Sequence, residues 1–131
     1  MCIRDSVSAE IGYITAERRQ QLYDAADCVL LPYSSISAQS GVLQDAYSQR
    51  LPVIASDVGP IGQTVNADGS GWVIPPSDPA ALEQAIVAAA SSMVDRRIAG
   101  ERGANVAERR SPSVIADQLV ALYAEVHAGH R

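Results

Sequence analysis

Apolar positions along the chain alternate between short continuous runs and longer stretches of helical period. The runs are Cys28–Leu31, Pro52–Ala55 and Trp72–Ile74. Each is short and bounded by polar or turn residues, as strands buried on both faces of a parallel sheet are. Pro32 closes the first run, Pro52 opens the second where a missing N–H is tolerated, and Pro75-Pro76 stop the third. Ala9–Ile14 (AEIGYI) is a further candidate strand, expected either to pair with Cys28–Leu31 or to stay loose while the three runs form a three-stranded parallel core. Thr15 is placed to N-cap a helix running to about Ala26, with Glu17 in its first turn and Leu22, Ala25 and Ala26 on its buried side. Ser40 to about Gln49 reads as a helix with Val42, Leu43, Ala46 and Tyr47 on one side. Ser56–Gly62 reads as a loop, Gln63–Val65 as a short helical turn, and Asn66–Gly71 (NADGSG) as dense turn chemistry. Asp78-Pro79 starts a helix in which Leu82, Ile86, Ala89 and Met93 recur at helical spacing. A polar helix over about Val94–Arg110 is weakened by Gly100 and Gly103. Ser111-Pro112 repeats the cap-then-proline start, and the last helix buries Ile115, Leu119, Leu122 and Val126. Strands alternating with helices predict an α/β fold with a short parallel sheet of about three or four strands, its C-terminal helices covering one edge or face.

The 131 residues make one domain, and 47% hydrophobic with 19% charged residues is a globular composition. A net charge of −5 argues against a nucleic-acid partner and against a polybasic membrane anchor. All ten basic residues are Arg, so a P-loop lysine, a Schiff-base lysine and a lysine nucleophile are excluded. Cys2 and Cys28 do not form a disulfide framework, and Cys28 reads as a small core residue. No apolar stretch approaches the roughly 18 residues of a membrane span. Residues 1–6 read as a non-native leader without an h-region, 7–127 as the domain and 128–131 as a frayed tail; the expected location is cytoplasmic.

One segment has the make-up of a ligand site: Ser34–Asp45 (SSISAQSGVLQD), between a buried strand and a helix. In open α/β sheets that turn lies at the carboxyl edge, where ligands bind. Ser40 and Gly41 would open the helix, and the N–H groups of Gly41, Val42 and Leu43 would carry the positive end of its dipole. A phosphate fits there without lysine. The plainer alternative is an ordinary serine cap. Asp45, one turn on, could accept hydrogen bonds from sugar hydroxyls or be a solvated helix carboxylate. Asp57-Val58-Gly59 could be a ligand loop at the same edge or a simple connection. His127 and His130 lie in the tail, no metal-ligand spacing occurs, and neither Gly-x-Gly-x-x-Gly nor Gly-x-Ser-x-Gly is present.

Together, GYITAERRQQLYDAADCVLL (Gly12–Leu31), Pro32-Tyr33, SAQSGVLQDAYSQRLPVIASDVG and NADGSGWVIPPSDPAALEQAI resemble the C-terminal part of retaining glycosyltransferases with the GT-B fold (group 1, family 4). The order of segments over residues 10–127 carries the resemblance. It implies a partial Rossmann-like three-layer domain that binds a nucleotide-sugar donor, with no cofactor and no metal. In that family a Glu-x7-Glu motif lies at the helix after the fourth strand. Ungapped, Ser37 takes the first Glu position, whose contact to the transferred sugar is thereby lost, and Asp45 takes the second, which binds the donor ribose. Gln39, Ser40 and Gly41 fall where backbone amides hold the diphosphate, with Val42 and Leu43 following. The resemblance also implies that an N-terminal acceptor domain is missing, with the first two strands of the donor domain and their basic pair. Any membrane periphery would come through the parent, and the isolated chain would be inactive and self-associate along a bare strand edge. The alternatives are a non-catalytic nucleotide-binding or interaction module and a fragment of a GT-B-fold nucleotide-sugar epimerase.

Overall fold

The computed structural model describes residues 7–38 and 40–129. In chain order they form α1 (Ala16–Ala25), β1 (Val29–Leu31), α2 (Gly41–Ser48), β2 (Val53–Ser56), α3 (Gly59–Asp68), β3 (Gly71–Ile74), α4 (Pro79–Ser91), α5 (Met93–Arg109) and α6 (Pro112–Ala128). The strands are parallel in the order β1-β2-β3, with Leu30 beside Ile54 and Ile54 beside Trp72. The three apolar runs are thus the three strands.

All four residues of central β2 are buried, and their alternation feeds two cores. Val53 and Ala55 pack with Leu31, Leu43, Ala46, Tyr47, Ile61, Val65 and Val106 under α2, α3 and α5. Ile54 packs on the other face with Ile74, Ala85 and Ala89, under α4. The result is the expected three-layer, partial Rossmann-like α/β arrangement. Cys28 borders the second core and is partly buried, and burial raises its thiol pKa.

Several expectations are corrected. Ala9–Ile14 is not a strand. Of its two expected outcomes the second holds: among the described residues it has no sheet neighbour beside the three-stranded core, Ile11 is 99% exposed, and Glu10 turns back to pair with Arg18 of α1. Thr15 does cap α1, accepting from the Arg18 N–H at 3.2 Å. Yet α1 buries no residue, and Leu22 is 41% exposed. Polar ties join it to α2 and the residue that follows, including reciprocal amide bonds between Gln20 and Gln49. On α2, Leu43, Ala46 and Tyr47 are buried but Val42 is not. The short turn expected at Gln63–Val65 is a ten-residue helix, α3. Pro60 in its first turn and left-handed Gly69 after its last are its start and stop signals. In α4 the buried residues are Ala85 and Ala89; Ile86 lies outside the core, and Met93 opens α5 instead. Gly100 and Gly103 are not weak points of α5 but its buried contact face. Finally, α6 buries no residue: Ile115, Leu119, Leu122 and Val126 are exposed. The expected leader (residues 1–6), Cys2, His130 and Arg131 lie outside the described residues; of the expected frayed tail, Ala128 still ends α6.

Candidate functional site

Parallel strands place all three strand-to-helix turns at one sheet edge, so the starts of α2, α3 and α4 lie together there. The capping differs among them. The Asp78 carboxylate accepts from the Ala81 N–H of α4 at 2.9 Å. Ser40 Oγ accepts from the Leu43 N–H of α2 at 3.3 Å. The N-cap of α3 is Val58, which has no side-chain bond to give.

Ser40 is therefore a serine cap, and it is buried. Its bond occupies the Leu43 amide and leaves those of Gly41 and Val42 as the donors at the helix start. Gly41 is exposed, and nothing stands within 4 Å of where a Cβ would be. An anion can approach that backbone without displacing protein atoms. Ser37 is exposed on a bend two residues before Gln39, which lies outside the described residues.

The loop before α2 is held by α3. Gly59 has φ +51°, and a Cβ there would collide with the Ile36 carbonyl oxygen. Only glycine fits that close approach without strain. Gly59 thus brings the start of α3 against the Ile36 backbone. Asp57 is exposed, and its carboxylate lies against Gly62 in the first turn of α3. On the α4 side, Pro32, Ser56, Ile74, Asp78 and Leu82 line an open groove of about 380 Å³ at the same edge.

Asp45 is half-buried and is not simply solvated. Its Oδ2 lies 3.4 Å from Arg19 Nη1 and accepts from Tyr23 Oη, also at 3.4 Å. Burial first, and the Asp45 charge second, push the Tyr23 phenol up. The sequence reading did not anticipate these two partners. Their signal was the spacing of Arg19 and Tyr23, four apart on one face of α1. Among the described residues, no three His, Cys, Asp or Glu side chains gather to hold a metal ion, and no helix is long and apolar enough to cross a membrane.

Residues 8–92 match the family described as Glycosyl transferases group 1. No curated protein sequence matches the chain. Among solved structures, sucrose-phosphate synthase from Thermosynechococcus elongatus is similar, with 29% identity and a TM-score of 0.74. The match covers 91% of this chain and 30% of that one, so the chain spans under a third of that relative's length.

Proposed function

Because the chain belongs to the glycosyl transferases of group 1, we propose that it forms the donor-binding end of an enzyme that moves a sugar from a nucleoside-diphosphate sugar to an acceptor with retained anomeric configuration. The start of α2 carries this reading. The Gly41 and Val42 amides are in the first turn of α2 at the carboxyl edge, Gly41 has open space where a Cβ would stand, and the Asp45 carboxylate is one turn further on. In this reading the two amides and the helix dipole hold the donor diphosphate and stabilise the leaving phosphate, Asp45 accepts from the ribose hydroxyls, and no metal or cofactor is used. The likeness to a sucrose-phosphate synthase supports an enzyme over a non-catalytic module or an epimerase. Ser37, where the family's first Glu stands, is the feature that favours the non-catalytic module instead. The acceptor side, and the basic groups that would assist the diphosphate, belong to the parent protein in this proposal.

Titration of the chain with UDP or GDP, followed by amide chemical shifts, tests it. Two charge-assisted hydrogen bonds at about 1.5–3 kcal/mol each reach the roughly 4 kcal/mol of a millimolar complex. The expected result is weak binding with the largest shifts at Gly41 and Val42, and a smaller shift at Leu43. Shifts confined to the Arg96–Arg110 segment would mean non-specific anion binding and would remove the proposal. In the full-length parent, Asp45→Ala is expected to raise the donor KM and lower turnover. Unchanged kinetics would return Asp45 to a structural role.

A further inference from the structure

We propose that Arg19 and Tyr23 are positioning residues for Asp45, holding its Oδ2 so that Oδ1 is presented to the vicinal diol of the donor ribose. The inference rests on the donor-site reading and adds to it the means by which the carboxylate is aimed.

Asp45 sits on α2 with part of its surface in solvent. An unrestrained carboxylate there would sample several rotamers and lose that freedom on binding. Instead, a phenol donor and a guanidinium charge from another helix converge on one oxygen. Arg19 Nη1 and Tyr23 Oη both lie 3.4 Å from Oδ2. A carboxylate has about four acceptor sites over its two oxygens, so Oδ1 stays available. The phenol keeps its proton across the neutral range, since burial and the Asp45 charge both push its pKa up, and so it remains a donor. Tyr23 of α1 is only half-buried. The helix buries no residue, and it reaches the α2 region through Arg19, Gln20 and Tyr23. The same contacts that seat α1 therefore aim Asp45.

The test compares UDP with inorganic pyrophosphate as probes of the full chain, by amide-shift titration. The variants are Tyr23→Phe, Arg19→Gln and Arg19→Lys. Tyr23→Phe and Arg19→Gln are expected to weaken UDP about three- to tenfold and to leave pyrophosphate unchanged, with Arg19→Lys recovering part of the loss. In an Asp45→Asn background, Tyr23→Phe should have no further effect on UDP. A second readout needs no ligand: Asp45→Asn should lower the pH at which the Tyr23 phenol titrates. Unchanged UDP binding in both variants, a parallel fall for pyrophosphate, or an unmoved Tyr23 titration overturns the inference while the donor-site reading stands. A wild-type chain that binds neither probe overturns both.

Discussion

Tyr47 shows how a residue read as part of an apolar face carries polar chemistry. The side chain is fully buried, yet its hydroxyl lies 3.0 Å from Asp68 Oδ2 and 2.6 Å from Ser70 Oγ. Asp68 ends α3 and Ser70 lies in the turn after it, both more than 20 residues on. The helical period of α2 marked Tyr47 as inward-facing, but nothing local could say what its hydroxyl would meet. Removing that hydroxyl in Tyr47→Phe takes away the Ser70 contact and one of the two partners of Asp68, which keeps its ion pair with Arg110, and is expected to cost about 1–3 kcal/mol in urea unfolding near neutral pH. Burial raises the phenol from 10.0 to about 12, with Asp68 adding to the rise. The folded state then holds the Tyr47 proton more tightly than the unfolded state. Its contribution is complete below the unfolded value and is lost as pH rises from 10.0 through about 12. The shift corresponds to roughly 2–3 kcal/mol. Tyr47→Phe should therefore show a shallower loss of stability across that alkaline window than the wild type. Parallel pH curves for the two proteins would mean that Tyr47 does not titrate in the transition.

At the scale of elements, short apolar runs were enough to find β1, β2 and β3, although only central β2 is buried on both faces. The cap-then-proline starts of α4 and α6 were equally legible. Less legible was anything set by contact between distant segments. Ala9–Ile14 has strand composition but no neighbour to pair with. The apolar positions of α1 and α6 have the right period, yet neither helix buries a residue. In α5, glycine suggested weakness because propensity is all that sequence displays. A Cβ at Gly100 would collide with the Arg50 carbonyl oxygen, and one at Gly103 would stand 2.8 Å from Tyr47 Cδ1. Their absence lets α5 lie close against α2 and the turn that follows it. Gly100→Ala would gain about 1 kcal/mol in an open helix; here it is expected to lose about 1–3 kcal/mol, since backbone must move. Urea midpoints would decide, and a stabilised variant would contradict the close approach. Asp78→Ala should cost about 1 kcal/mol by the same measurement, through loss of the Ala81 bond at the start of α4.

For the whole molecule, the two sheet faces are unequally covered. β2 is paired on both sides, whereas among the described residues β1 pairs only with β2. On the α4 face, α4 packs over Ile54 and Ile74, but Leu30 of β1 is 42% exposed. The outer side of β1 thus combines unpaired backbone groups with an exposed leucine, which is a template for pairing with another chain. A separate exposed apolar row, Ile115, Leu119, Leu122 and Val126, lies on α6. Net charge of −5 opposes association and is screened by salt. The chain is therefore expected to self-associate as concentration rises, and more strongly at high ionic strength. Sedimentation velocity over a concentration series can locate the contact. If the β1 edge carries it, Leu30→Glu should restore the monomer, because a charge on an edge strand blocks pairing, while Leu119→Glu should leave the association in place. The reverse pattern would assign the contact to α6. A wild-type monomer at every concentration and salt would show that the β1 edge is too short, at three residues, to recruit a second chain.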